Sequence, residues 1–101
     1  MALQNNFYKI NSSENLTAGT GTGATRSGAC PANVILVRIS STALVYVACT
    51  AGQGATPTAT VAAGVQIDVS APETFVIRPG DKIAAISSAG APIVNITWLE
   101  G

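Results

Sequence analysis

Two apolar runs near the middle of the chain give the first indication of its structure. The stretches NVILVRIS (33–40) and ALVYVACT (43–50) are rich in Val and Ile, and a short Ser-Ser-Thr segment separates them. Such residues favour strands, so the pattern predicts two strands joined by a hairpin or a tight corner. Because apolar residues occupy both faces of each run, we expect both strands to be central and covered on both sides.

Arg38 is the charged residue within the first run, and by strict alternation it shares a face with Val34 and Leu36. One interpretation places it near a strand end, where its long side chain reaches water. The other is an ion pair at an interface with a second protein, because arginine is enriched in interfaces. We therefore treat Arg38 as a candidate partner-binding residue.

Three stretches in the second half of the chain also alternate with a period of two. VQIDVS (65–70) predicts a half-exposed strand. In APETFVIRPGDKIAAIS (71–87), two short apolar strands flank a Pro-Gly pair; proline fixes φ, and glycine accepts the positive φ that a type II turn requires. In IVNITWL (93–99), the apolar side chains from Val94 to Trp98 share one face of a last strand.

These short strands and the turn signals between them predict the fold class. We expect an all-β protein, either a single antiparallel β-sandwich or a jelly-roll-like barrel, of about seven or eight strands. The expected organisation is an N-terminal arm or edge strand over residues 1–16, followed by a β-sandwich domain over residues 17–101.

The N-terminal segment is polar except for a few apolar and aromatic positions, among them Phe7, Tyr8 and Ile10. It is interpreted either as an edge strand or as an arm that docks on a neighbouring subunit, since aromatic anchors dominate many interfaces. Phe7, Tyr8 and Ile10 are therefore candidate partner-binding residues. We hypothesise that deleting residues 1–16 weakens partner binding and leaves the sandwich folded.

Composition narrows the class of function. Hydrophobic residues make up 48% of the 101 residues, charged residues 10%, and the formal net charge is zero. This balance is typical of a folded chain rather than a disordered one, and neutrality favours association with other chains. The five basic residues are scattered, whereas nucleic-acid binding needs them clustered, so no nucleic-acid partner is expected.

Targeting signals and cysteines complete that picture. No apolar run reaches the roughly 18 residues of a membrane span, so we expect no membrane partner. The N-terminus lacks the basic region and apolar core of a signal peptide, which indicates a product that stays inside the cell. In that compartment Cys30 and Cys49 are expected to be free thiols.

Catalytic chemistry finds little support. The chain has no histidine, which excludes a Ser–His or Cys–His pair and a histidine-bearing zinc site. The carboxylates are expected at solvated strand ends and turns, and the Gly-rich segment 17–29 lacks the lysine of a phosphate loop. Asp68 and Glu73 supply too few oxygens for calcium. We predict that the protein is not an enzyme and uses no cofactor or metal.

A larger pattern resembles a known group of proteins. ALVYVACT, AGVQIDV, ETFVIRPGDKIAAIS and VNITWLE, which cover a little over half of the chain, resemble small β-sandwich virion proteins of tailed bacteriophages of the head decoration, or cement, type. The resemblance implies a protein made in the host cytoplasm that binds the major capsid protein on the outside of the assembled head. It also implies that the protein stabilises the shell, often as a homotrimer.

Two alternatives stay open. The chain could belong to the tail, the head–tail connector or a fibre of the same virion. From another class, it could be a carbohydrate-binding β-sandwich module; such modules usually expose a platform of aromatic rings, and here most aromatic residues fall within predicted strands.

Overall fold

Eight strands, one of them only two residues long, form the regular structure of the described residues. The computed structural model describes residues 8–20, 25–49 and 57–101. The strands are β1 (Lys9–Thr17), β2 (Thr25–Arg26), β3 (Val34–Ser41), β4 (Val45–Cys49), β5 (Val65–Ile67), β6 (Glu73–Val76), β7 (Ile83–Ile86) and β8 (Ile93–Glu100). Phe7 lies outside the described residues.

The strands form two four-stranded antiparallel sheets that pack face to face. The first sheet has the order β1-β8-β3-β6, and the second has the order β2-β7-β4-β5. Side chains from both sheets meet in one core, which includes Val37, Ile39, Ile96 and Trp98 of the first sheet and Val45, Val47, Ile67 and Ile83 of the second. The predicted all-β sandwich is confirmed, and within the described residues the sheets do not close into a barrel.

The chain changes sheets between β3 and β4, at the Ser-Ser-Thr segment. β3 pairs with β6 and β8, whereas β4 pairs with β5 and β7. The two runs are therefore joined by a corner, and the hairpin alternative is wrong. Ser41 helps to form this corner, because its hydroxyl donates to the carbonyl of Ala43 at 2.6 Å.

The Pro-Gly pair also marks a change of sheet, from β6 to β7. Gly80 has φ of 91°, and the Asp81 N–H donates to the carbonyl of Arg78 at 3.1 Å, as a type II turn requires. Asp81 is only 3% exposed, so the expectation of a solvated carboxylate is wrong at this position. Its Oδ2 instead accepts the backbone N–H of Arg78 at 3.2 Å and lies 3.7 Å from Arg78 Nε.

A β-bulge in β3 changes which of its side chains share a face, so the strict alternation predicted for this strand is wrong at its start. The pairing with β8 shifts between Val34 and Leu36, so Val34 points into the core and Leu36 points outward with Arg38. Arg38 thus shares a face with Leu36 but not with Val34. The expectation that β3 is covered on both sides is wrong, because Ile35 is 45% exposed and Arg38 is also exposed.

The N-terminal segment contributes an edge strand. Lys9–Thr17 pairs with β8 along its whole length, with a register shift between Ile10 and Ser12. Leu16 is buried against the core opposite Val94, while most other side chains of β1 are exposed. Residues 9–16 are therefore an integral part of the first sheet.

Candidate docking face

The outer face of the first sheet, which we call the bare face, carries a row of aliphatic side chains across all four strands. Ile10 pairs with Leu99, Leu99 with Leu36, and Leu36 with Val76. Directly opposed residues of neighbouring antiparallel strands place their side chains on the same face. Val76 is 82% exposed and Ile10 is 65% exposed. We call these four residues the aliphatic row.

Arg38 occupies the next row of the bare face, among hydroxyl side chains. It is opposed by Thr97 on β8 and by Thr74 on β6, and Ser13 of β1 opposes Thr97. The Arg38 side chain lines an open depression of about 480 Å³ together with Tyr8, Leu36, Thr74 and Leu99. Arg38 therefore lies directly beside the aliphatic row.

The third row is polar and neutral. Asn15 opposes Asn95, which opposes Ser40 on β3. The amide of Asn95 donates to Asn15 Oδ1 at 2.9 Å, and the Thr97 hydroxyl donates to Asn95 Oδ1 at 2.7 Å. The bare face therefore changes from apolar, through one cation, to neutral amides and hydroxyls over three rows.

The structure brings three of the four candidate residues from the sequence to one place. Tyr8 (40% exposed), Ile10 and Arg38 all lie on the bare face, and Phe7 is outside the described residues. Sequence reasoning missed Leu36, Val76 and Leu99. The cross-strand register that places these three side chains in one row is not visible in the sequence.

The outer face of the second sheet, which we call the covered face, differs in kind. Ala84 and Ile86 of β7 are buried there with Ala59, and Tyr46 and Ala48 of β4 pack against them. The segment 57–64 thus lies over this side of the sheet.

Two contacts hold segment 57–64 on the covered face. Arg26 Nε on β2 donates to the carbonyl of Pro57 at 2.7 Å. At Gly64, a Cβ would lie 2.7 Å from Tyr46 Cβ and 2.9 Å from the carbonyl oxygen of Thr60, so only glycine allows this approach.

A separate apolar cavity of about 180 Å³ opens between the two sheets, where β5 and β6 form their edges. Val37, Val47 and Phe75 line it, and Cys49 stands exposed at its rim. Apart from the Cys49 thiol, every side chain that lines this small cavity is apolar.

The two cysteines have different surroundings: Cys30 is buried, whereas Cys49 is exposed, and no disulfide joins them. Cys30 is buried and its amide donates to the carbonyl of Asp81 at 2.7 Å. Burial raises the pKa of the Cys30 thiol from 9.0 to about 11, with smaller contributions from the nearby Asp81 and Cys49. Cys30 is therefore a protonated, structural thiol at neutral pH.

One polar atom of the turn stands out. Asp81 Oδ1 is buried and has no hydrogen-bond partner within the described part of the chain.

Among those same residues no group of three or more Cys, Asp or Glu side chains is placed to hold a metal ion. Nor does any helix of residues 8–20, 25–49 and 57–101 have the length and apolar character to span a membrane.

Comparison with known proteins adds no assignment. Neither the models of protein families, nor the curated proteins, nor the solved structures contain a match to this chain. The candidate site therefore rests on the geometry of the bare face.

Proposed function

We propose that this chain is a decoration, or cement, protein that binds the outer surface of an assembled bacteriophage head and stabilises it. The observation that carries the proposal is the aliphatic row, which crosses all four strands of one sheet, with Ile10 and Val76 exposed and Leu36 and Leu99 half-buried between them. Exposed apolar patches of this kind mark interaction surfaces. The resemblance of the stretches between residues 43 and 100 to head decoration proteins supplies the kind of partner, the major capsid protein.

The size of the row favours many weak contacts over one strong contact. Burying Ile10 and Val76, the exposed ends of the row, contributes about 1.5–3 kcal/mol each, and the half-buried Leu36 and Leu99 contribute less. Association itself costs about 4–15 kcal/mol in lost freedom, so a single docked copy binds weakly. A homo-oligomer, of which we favour the trimer, multiplies the contacts through avidity. Copies that bind only the assembled shell then stabilise it by mass action.

The copy number of this chain in gradient-purified virus particles from its source tests the proposal. Quantitative mass spectrometry should find a copy number comparable to that of the major capsid protein. A handful of copies per particle would move the protein to the tail, the connector or a fibre. Absence from the particles would contradict a virion role altogether and return the carbohydrate-binding alternative to consideration.

A further inference from the structure

Arg38 is the charged residue on the strands of the bare face, and its charge is not satisfied there. No ion pair or hydrogen bond joins its guanidinium to any residue within 8–20, 25–49 or 57–101. The other two arginines differ. Arg26 donates to the carbonyl of Pro57, and Arg78 lies beside the Asp81 carboxylate.

The surroundings of Arg38 make this unpaired charge informative. Arg38 lines the same depression as Leu36 and Leu99, so any surface that covers the aliphatic row also covers Arg38. A charge removed from water without a counter-charge costs several kcal/mol. The hydroxyls of Thr74 and Thr97, its cross-strand neighbours, carry no opposite charge.

A second copy of the chain cannot supply the missing charge through this same face. In a two-fold dimer both partners present the same surface. By strand register, the described side chains of the bare face are Ile, Leu, Val, Ser, Thr, Asn and Arg38, joined by Tyr8 just before β1, and no carboxylate is among them. Glu14 and Glu100 oppose the buried Ile96 and Val34, so both belong to the inner side of the sheet. Glu73, the neighbour of Thr74, opposes the buried Ile39 and so belongs to the inner side of the sheet. Face-to-face pairing would therefore bury two unpaired arginines.

We infer that the bare face docks on a different protein, whose surface presents an apolar ridge to the aliphatic row and a carboxylate to Arg38. The inference rests on the proposed function and names the chemistry that its partner surface must have. In this arrangement the row supplies apolar contact and the Arg38–carboxylate pair fixes the register of docking. Arginine suits that role because its planar guanidinium can hold a carboxylate through two parallel hydrogen bonds.

Binding of purified chain to virus heads of its source, measured by co-sedimentation, tests this inference with four proteins. These are the wild type, Arg38→Gln, Arg38→Lys and the control Arg78→Gln. Removing one partner of a buried charge pair should weaken binding by about 30-fold or more in Arg38→Gln. Arg38→Lys keeps the charge but loses the planar guanidinium that forms two parallel hydrogen bonds, so it should bind with intermediate affinity. Arg78→Gln removes the same charge from a residue away from the face and should bind like the wild type.

The outcomes separate the two levels of the proposal. If the wild type does not bind heads, the proposed function fails, and the inference that rests on it fails as well. If the wild type binds and Arg38→Gln binds equally well, the inference alone is overturned. Sedimentation equilibrium of the free protein adds a second arm. A wild-type dimer that dissociates on Val76→Asp would make a second copy the occupant of the face and would also overturn the inference.

Discussion

The two outer faces of this sandwich are built from similar apolar side chains and yet differ in solvent exposure: one is covered and the other is open to water. On the covered face, Ile86 and Ala84 are buried because segment 57–64 lies over them. On the bare face, Ile10 and Val76 stay exposed. Apolar residues on an outward face therefore do not by themselves indicate a buried strand. What decides is whether the chain has a further segment to lay over them.

The largest expected difference between the two faces concerns stability. Ile86→Ala should lower the free energy of unfolding by about 2–4 kcal/mol, because it opens a cavity under segment 57–64. Val76→Ala should change it by no more than about 0.5 kcal/mol, since Val76 is already in water. Urea unfolding of both variants measures the difference. Equal losses of unfolding free energy in the two variants would contradict the claim that Ile86 is buried on one face and Val76 is open to water on the other.

A smaller effect is expected where segment 57–64 approaches β4 most closely. Gly64→Ala forces a methyl group against Tyr46 and the Thr60 carbonyl, and should cost about 1–3 kcal/mol through overpacking. Gly19→Ala is the matched control, because a Cβ at Gly19 has no atom within 4 Å. Thermal unfolding of the two variants should show a lower melting temperature for Gly64→Ala only. An unchanged melting temperature would contradict the close contact.

The hydrogen bond from Arg26 to Pro57 should contribute less, about 1 kcal/mol. Arg26→Ala should leave the core intact and loosen the covering segment. Hydrogen exchange at the Ala63 and Gly64 amides, which both donate to the Thr60 carbonyl, should become faster. Arg38→Ala, on the bare face, should leave these rates unchanged. Slow exchange in both variants would show that Arg26 does not hold the segment.

The smallest effect at neutral pH concerns the thiols, one inside the sandwich and one at its rim. At pH 7.5 or so, a maleimide should label Cys49 readily and Cys30 only after denaturation. The pKa of Cys30 is raised to about 11 in the folded protein against 9.0 in the unfolded chain, so the folded state holds this proton more tightly. Its stabilising contribution is complete below pH 9.0 and is lost as the pH rises towards about 11. Cys30→Ala should show a weaker loss of stability over that window, and an identical pH profile would contradict the assignment.

Much of the fold could be predicted from the sequence, because its signals are local. The alternation of Val94, Ile96 and Trp98, and the Pro79-Gly80 turn, each depend on neighbouring residues and are confirmed. The bulge after Val34 could not be predicted, since it depends on how β3 aligns with β8. The burial of Asp81 was missed for a similar reason, as it follows from the pairing of the turn with the Cys30 segment.

The candidate site was predicted only in part. Tyr8, Ile10 and Arg38 stood out as unusual residues for their positions, whereas Leu36, Leu99 and Val76 resembled ordinary core residues. Register between strands that are distant in sequence unites them, and a single sequence does not contain it. The structure also sharpens the deletion hypothesis. Removing residues 1–16 would take most of β1 and the buried Leu16 with it, so removing residues 1–7 is the better test of an arm.

Hydroxyl-radical footprinting of the chain, free and bound to purified heads, shows which face of the sandwich docks. We expect Leu36, Leu99 and Tyr8 on the bare face to become protected on binding. Leu44 is 39% exposed beside β4 of the second sheet, and it should be oxidised equally in both states. Protection of Leu44 with unchanged oxidation of Leu36 and Leu99 would contradict the claim that the bare face is the docking surface.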